Sequence, residues 1–426
     1  MPDERKADAA DAAADAQRQY WGRVLSATLR MARDLDIAEE ATADAFALAL
    51  QTWPDRGVPD SVEAWLLTAA RRRAIDRIRR LSRFRERLAL IAATGDLTAE
   101  PADAGLDAPP VLDDELRLVV LCCHPAIDVE TQVALTMRLG CGVRTASVAA
   151  AFLVSEPTMA ARLTRAKKRI AGSGAGIALP DDVAVEERMP AVRRTIQLAY
   201  AMGHTAGAGA DLRDDDVAAH ALRLARALFA LRKDDTEAVG LLALIVLSEA
   251  RAGGRLNPAG EQVLLADADR ARWDRAMLTE GLALVGSLRP LLDGGRAGPL
   301  AWQAAIAAEH AVAPTFAATD WRRIVDCYDA LLTIEPSPTI AIGRCVAVSY
   351  VAGAAVGVAD IDEVIAVGGL ERYPYAHAAR AQMLDRLGRA ADAGESWTAA
   401  ARTSRTAAER DWFETQACRR GDGGAA

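Results

Sequence analysis

Residues 144–170, RTASVAAAFLVSEPTMAARLTRAKKRI, predict two short helices joined by a tight turn. Thr145 is a suitable N-cap for the first helix and Ser155 for the second, because a side-chain hydroxyl can accept a hydrogen bond from the first turn. Apolar residues then recur at helical spacing and predict a buried stripe formed by Met159, Leu163, Ala166 and Ile170. The neighbouring face of the second helix carries Thr158, Arg162, Arg165 and Arg169.

The cationic face makes the second helix suitable for DNA binding. In a helix-turn-helix the second helix enters the major groove, its arginine and lysine side chains contact phosphates, and a few side chains contact base edges. The alternative is a basic, solvated helix end without a ligand. The turn, the cap, the apolar stripe and the charge agree with one another and favour a DNA-binding helix-turn-helix.

Residues 155–170, SEPTMAARLTRAKKRI, resemble the end of region four of bacterial sigma factors of the extracytoplasmic-function group, which contacts the minus-35 promoter element. The Arg-Leu-x-Arg-Ala-Lys-x-Arg core of that motif is retained. Leu153 stands where a turn glycine is common, and Ala160 and Ala161 replace polar residues that often face DNA. The resemblance implies minus-35 contacts by Thr158, Arg162, Arg165, Lys168 and Arg169.

A second concentration of positive charge lies in residues 71–87, RRRAIDRIRRLSRFRER, where nine arginines face only Asp76 and Glu86 as acids. Such a run is often just a solvated helix face. The whole chain, however, has a net charge of -8, and like charges on one helix repel unless a partner neutralises them. The local surplus therefore favours a polyanionic partner.

Residues 39–50, EEATADAFALAL, and 64–80, AWLLTAARRRAIDRIRR, resemble two helices of region two of the same sigma-factor group. In that group the first helix docks on the coiled coil of the polymerase beta-prime subunit, and the second opens and reads the minus-10 element. The resemblance implies polymerase contacts by Glu39, Glu40, Asp44 and Leu48. It implies minus-10 contacts by Asp60, Ser61, Arg72, Arg73, Arg77 and Arg80, with the loop of residues 57–61 beside a base flipped out of the duplex.

The pattern of helices and breakers predicts an all-α, multi-domain chain. We expect a disordered leader (1–17), region two (18–87), a mobile linker (88–112), region four (113–171), a helical middle domain (179–298) and helical repeats (299–418). Gly353 and Gly388 are 35 residues apart, and each separates two helical segments, a period close to that of tetratricopeptide repeats. Such repeats would bind a protein or peptide; the alternative is a packed helical domain without a ligand.

Composition narrows the class of protein. Six cysteines without a repeating spacing fit a reducing cytoplasm. Four potential zinc ligands lie near one another, Cys122, Cys123, His124 and Cys141, but adjacent cysteines on a helix do not readily face one ion, so we predict buried thiols and no metal. No apolar run reaches about 18 residues, so no membrane span is expected. No phosphate-binding loop or hydrolase motif occurs, and neither a cofactor nor enzymatic activity is predicted.

The chain as a whole resembles an extracytoplasmic-function sigma factor of the subgroup with a fused C-terminal extension containing tetratricopeptide-like repeats. The resemblance implies binding to promoter DNA and to core RNA polymerase, through its beta-prime and beta subunits. It also implies an extension that regulates activity in place of a separate anti-sigma factor. Two alternatives are a stand-alone helix-turn-helix regulator with a sensor domain, and an enzyme whose catalytic domain is the central helical body.

Overall fold

The computed structural model describes residues 2–91, 114–152, 154–173, 182–204, 215–255, 263–404 and 407–421. Every regular element within these ranges is a helix, so the all-α prediction is confirmed. The chain divides into two compact units. The first comprises Met1–Ala199 and Ala219–Ala227, and the second comprises Tyr200–Ala218 and Leu228–Ala426. The regions predicted at 18–87 and 113–171 therefore belong to the same unit.

The first unit is built around α1, which packs against α2, α3 and α4. The helices that lie wholly within this unit are α1 (Pro2–Ala32), α2 (Leu35–Arg56), α3 (Val62–Ile91), α4 (Asp114–Cys122), α5 (Val129–Leu139), α6 (Thr145–Ala151) and α7 (Glu156–Ala171). Two further helices, α8 (Asp182–His204) and α9 (Asp215–Leu231), contribute residues to both units. α5 packs against α4, α6 and α7, and this places the helix-turn-helix in the same unit as α1.

The N-terminal segment differs from the disordered leader predicted for residues 1–17, because α1 begins at Pro2. Ala9, Ala13 and Ala16 follow one another at helical spacing, and all three are buried in the core beside Trp21. The aspartates of this segment suggested a frayed end. Alanine, however, has the highest helix propensity, and a stripe of small apolar residues can bury one helix face.

The end of α2 and its apolar stripe also differ in detail from the prediction. Proline disfavours continuation of a helix, so the sequence predicts that the helix ends at Pro54, but α2 continues to Arg56. Phe46, Leu50 and Trp53 lie at i, i+4 and i+7, a spacing that predicts one buried stripe. The two aromatic residues are buried, whereas Leu50 is 52% exposed. Ala49 is buried instead, because the residue three positions after Phe46 shares its face as readily as the residue four positions after it.

The predicted linker, residues 88–112, lies mostly outside the described residues. Its first four residues belong to α3, which ends at Ile91. Residues 171–176, AGSGAG, predict a hinge after α7, and this segment lies outside the described residues from residue 174 onwards. The boundaries of these two connections therefore stay predictions.

The second unit is a series of helices that pack against one another. Its helices are α10 (Thr236–Ala250), α11 (Arg275–Asp293), α12 (Pro299–Val312), α13 (Trp321–Ile334), α14 (Pro338–Val351), α15 (Ala354–Gly368), α16 (Pro374–Arg386), α17 (Ala390–Thr403) and α18 (Ala407–Gly421). Three short 3-10 segments lie at Ala252–Gly254, Arg270–Arg272 and Phe316–Ala318. Each helix from α12 to α17 packs against the next one along the chain.

The repeat-like turns of the second unit lie where the sequence predicts them, with Gly353 before α15 and Gly388 before α17. Gly357 lets α15 approach α14 closely, since a Cβ added there would lie 2.4 Å from the Ser349 Cβ. Trp397 is completely buried. The assignment to tetratricopeptide repeats stays a prediction, because other helical arrays also stack consecutive helices. None of the described helices is both long and apolar enough to span a membrane.

Candidate nucleic-acid and polymerase interfaces

α6 and α7 form the predicted helix-turn-helix. Ser155 is the N-cap of α7, and its Oγ accepts a hydrogen bond from the Thr158 N–H at 3.4 Å. The predicted inner stripe is buried throughout, at Met159, Leu163, Ala166 and Ile170. The first helix differs from the prediction, because Arg144 rather than Thr145 occupies its N-cap position and makes no side-chain cap bond. Because the apolar stripe of α7 packs into the core, the polar side of α7 faces away from it.

The outer face of α7 brings most of the predicted minus-35 residues together. One groove is lined by Arg162, Arg165, Lys168 and Arg169 from α7, and by Asp128, Glu130 and Thr131 from the start of α5. Arg162 is partly held in place, with Nη1 3.6 Å from the Glu130 carboxylate. The other three cations are exposed. Thr158 is exposed one turn into α7, where its hydroxyl lies 2.8 Å from that of Ser155.

Lys167 lies in the middle of this basic segment but points elsewhere. Its side chain is only 19% exposed, and its ammonium lies 2.5 Å from Asp36 Oδ1 and 3.1 Å from Glu39 Oε2, both on α2. Burial alone lowers the pKa of Lys167, but the hydrogen bonds and charges of these two carboxylates outweigh it and raise the pKa. Lys167 therefore forms an ion pair that joins the predicted region four to the predicted region two.

The predicted minus-10 residues lie on α3 and on the loop before it. Arg72, Arg73 and Arg80 are exposed, as are Asp60 and Ser61. Arg77 differs, because it forms an ion pair with Glu40 of α2. Positions 73, 77 and 80 share one face of α3, so the structure gathers these arginines along one side of the helix.

The four predicted polymerase contacts do not share one exposed surface. Glu40 and Asp44 are exposed and Leu48 is partly exposed, one turn apart along α2. Glu39 faces the other way, and its side chain is only 13% exposed. Arg138 Nη2 of α5 lies 2.7 Å from Glu39 Oε1, and Lys167 contacts the second oxygen. The structure thus separates Glu39 from the other three.

The segments predicted as region two (18–87) and region four (113–171) contact each other directly, which the sequence does not indicate. The Trp21 Nε1–H of α1 donates to the carbonyl oxygen of Leu139 at 3.0 Å. The guanidinium carbon of Arg138 lies 5.5 Å from the Trp21 ring centroid, and Trp21 stacks on Phe46 of α2. Gly142 follows α5 and touches the same indole, since a Cβ there would lie 2.6 Å from Trp21 Cγ. Trp21 is therefore the centre of this contact.

Residues of α8 and α9 complete the first unit. Arg188 of α8 donates to the Val120 carbonyl oxygen at 3.2 Å, and Thr195 Oγ1 lies 3.4 Å from the Cys123 thiol. On α9, Arg223 donates to the Arg18 carbonyl oxygen of α1 at 2.9 Å. His220 Nε2 lies 3.1 Å from Glu115 Oε1 of α4. One turn of α9 therefore contacts both regions.

The cysteine-rich segment has the features of buried structural thiols. Burial raises the pKa of the Cys123 thiol to about 12, against the hydrogen bond with Thr195. His124 Nδ1 accepts from the Ala126 N–H at 3.1 Å, so Nε2 carries the proton that faces Ser173 Oγ at 3.2 Å. No three His, Cys, Asp or Glu side chains in the described part of the chain are grouped to hold a metal ion.

Two family models match separate parts of the chain. Residues 17–84 match the model of sigma-70 region 2, and residues 188–288 match a family of unknown function, DUF6596. Over 396 residues the chain is 38% identical to Uncharacterized protein R00370 of Rhizobium meliloti, covering 92% of each protein. The chain belongs to the same family as this Rhizobium protein. No solved structure matches the chain.

Two shorter matches concern named sigma factors. The chain is 32% identical over 120 residues to ECF RNA polymerase sigma factor SigK of Mycolicibacterium vanbaalenii, which is 27% of this chain and 57% of that protein. It is 35% identical over 133 residues to SigK of Mycobacterium sp. strain KMS, which is 30% of this chain and 64% of that protein. Together with the region 2 match, these similarities show that part of the chain is similar to sigma-70 factors.

Proposed function

We propose that this protein is an RNA polymerase sigma factor of the extracytoplasmic-function group that directs core polymerase to promoters with specific minus-10 and minus-35 elements. The observation that carries the proposal is the presence of two cationic helices in one unit. The α3 arginines lie within the residues that match sigma-70 region 2, and the exposed α7 cations lie on a helix-turn-helix. Neither an enzyme nor a single-module regulator needs both.

The proposed mechanism uses two weak DNA contacts held on one polymerase. Exposed arginines and lysines bind phosphates and release counterions, which gives affinity that falls steeply with salt. Anchoring both regions on polymerase, through its beta-prime and beta subunits, raises the effective concentration of each at its element. Recognition then depends on the spacing of the two elements as well as on their bases.

The C-terminal extension is proposed to regulate this activity in place of an anti-sigma factor. The support is that Arg188, Thr195, His220 and Arg223, which lie within the residues that match DUF6596, contact helices of regions two and four. The repeat-like helices α12–α18 are proposed to bind the protein or peptide that sets the regulatory state. A fused regulator needs such a direct contact with the regions that it controls.

The test is in vitro transcription with core polymerase and promoter fragments selected from the source genome by retention on the reconstituted holoenzyme. We expect initiation at discrete sites only when the full-length protein is added. Arg165→Glu combined with Arg169→Glu should abolish initiation, whereas Arg410→Glu, which reverses an exposed arginine on α18, should not. If no form supports initiation while the full-length protein alone binds specific duplex DNA, the stand-alone regulator is the correct description.

A further inference from the structure

The contact between the two regions is incompatible with promoter binding as proposed. The minus-10 and minus-35 elements are centred about 25 base pairs apart, which is about 85 Å at about 3.4 Å per base pair. In the described structure Lys167 of the helix-turn-helix touches Asp36 and Glu39 of region two. One molecule in this state cannot place both regions on their elements. The structure is therefore that of a closed state.

The ion pairs at this contact involve one predicted polymerase contact and one cation of the basic helix α7. Glu39 is covered by Arg138 and Lys167, so it is withheld from polymerase. Lys167 belongs to the basic helix of region four, and its charge is neutralised by α2. The Arg138 and Glu39 side chains are 21% and 13% exposed, so the pair is screened less by salt than a surface pair.

We propose that Glu39, Arg138 and Lys167 form an autoinhibitory latch between regions two and four, and that core polymerase must open it. This latch rests on the proposed sigma function and specifies how that function is regulated. Opening it frees Glu39 on α2 and the Lys167 cation on α7 in a single step.

The extension reinforces the latch through α9. His220 and Arg223 lie within one turn of that helix, and Arg223 donates to His220 Nδ1 at 2.6 Å. His220 Nε2 lies 3.1 Å from Glu115 Oε1 of region four, while Arg223 also donates to the Arg18 carbonyl oxygen of region two. Because one turn holds both regions, a partner that displaces α9 weakens the closed state. This is how the extension substitutes for a separate inhibitor.

Carbodiimide cross-linking of the full-length protein, without polymerase, detects the latch directly. The reagent joins a lysine ammonium to a carboxylate in contact with it, forming an amide with loss of water. We expect an amide between Lys167 and Asp36 or Glu39, identified by mass spectrometry of the digested protein. Lys168, adjacent but exposed, should not join these carboxylates and is the internal control. Absence of the Lys167 amide overturns the proposal.

Variants of Arg138 test the inhibitory role. Arg138→Glu places a like charge beside Glu39, and Arg138→Gln removes the charge more gently if the reversal prevents folding. Coupling between two sites typically changes an affinity about 5- to 150-fold. For the Arg138 variants, compared with wild type, we therefore expect the amide yield to fall about 5-fold or more and the affinity for core polymerase to rise about 5-fold or more. Arg23→Gln breaks a pair with Glu63 inside region two and should change neither quantity.

The outcomes separate the latch from the sigma function. If wild type and the Arg138 variants bind core polymerase equally well and initiate equally well, the latch is refuted and the sigma function stands. A cross-link that persists at full yield in the initiating holoenzyme also refutes it. If no form binds core polymerase, the sigma function fails and the inhibitory role fails with it.

Discussion

Gly142 is where the packing between regions two and four can be tested most directly. Its backbone has φ of +67°, and a Cβ at this position would lie 2.6 Å from Trp21 Cγ and 3.1 Å from Trp21 Cβ. Trp21 has little room to move, because it stacks on Phe46 and donates to the Leu139 carbonyl oxygen. Gly142→Ala should therefore destabilise the first unit through both strain and overlap.

The magnitude follows from these two terms. A left-handed backbone costs an L-residue about 1–2 kcal/mol relative to glycine. Inserting a methyl group into a packed contact costs about 1–3 kcal/mol. The sum is about 2–5 kcal/mol, and for a unit of roughly 200 residues each kcal/mol lowers the Tm by about 2–4 °C. We expect the melting transition of the first unit to fall by about 4–20 °C.

Differential scanning calorimetry measures the change, and hydrogen exchange of α1 and α5 assigns the transition to the first unit. Gly369→Ala is the matched control, because Gly369 has φ of +64° and no atom lies within 4 Å of its added Cβ. It should lose only the backbone contribution of about 1–2 kcal/mol in the second unit. If Gly142→Ala costs no more than this control, the close contact between Gly142 and Trp21 is wrong.

Three further predictions concern a helix cap, a buried histidine and thiol reactivity. Asp128→Ala should cost the first unit about 1–2 kcal/mol at pH 7, because Asp128 caps α5 and accepts the Thr131 N–H and hydroxyl at 2.9 Å. Burial raises the pKa of the Asp128 carboxyl, but these hydrogen bonds outweigh burial, so the pKa lies below its usual value of 3.8. The stabilisation is therefore present above pH 3.8 and is lost as the pH falls through the folded pKa. Urea unfolding at several pH values checks this, and equal stability of variant and wild type at pH 7 would contradict it. Burial, with Arg251 and Arg270 nearby, lowers the pKa of His310 to about 4. Because the unfolded chain binds a proton at this histidine more readily, the group leaves stability unchanged above about pH 6.5 and costs the second unit about 2 kcal/mol at pH 5. His310→Asn should remove this loss, so that the stability measured by urea unfolding changes less between about pH 6.5 and pH 5. Cys418 is exposed, whereas Cys123 is buried with a raised pKa, so Cys418→Ser should remove the fastest phase of reaction with an aromatic disulfide reagent, and an unchanged fast phase would show that another thiol is accessible.

The parts of the fold that depend on nearby residues could be predicted from the sequence. Ser155 and the α7 stripe from Met159 to Ile170 follow from capping and helical periodicity, both of which act within a few residues. The many aspartates of the N-terminal segment predict a disordered leader, whereas the helix propensity of its alanines favours the helix that the structure shows. Ala9, Ala13 and Ala16 carry the same periodic signal in smaller side chains.

The contacts between the regions could not be predicted in this way. Glu39 and Lys167 are 128 residues apart, and a chain with 51 basic and 59 acidic residues offers many pairings of equal local merit. The sequence around Trp21 does not predict its contact with the other region either, since an indole in an amphipathic helix usually packs within its own module. The structure shows that the Trp21 N–H donates to the carbonyl oxygen of Leu139, at the end of α5.

The arrangement of acids on α2 suggests why such a protein would bind promoter DNA poorly until polymerase is present. Glu40 pairs with Arg77 of α3, and the preceding residue, Glu39, pairs with Arg138 and Lys167 of region four. Successive helix residues point about 100° apart, so one short segment of α2 reaches cations on both sides. In the proposed function polymerase takes these same carboxylates. Docking on α2 would then release the predicted minus-10 residue Arg77 and separate Lys167 of region four from α2, so binding to polymerase and opening of the contact between the regions become one event.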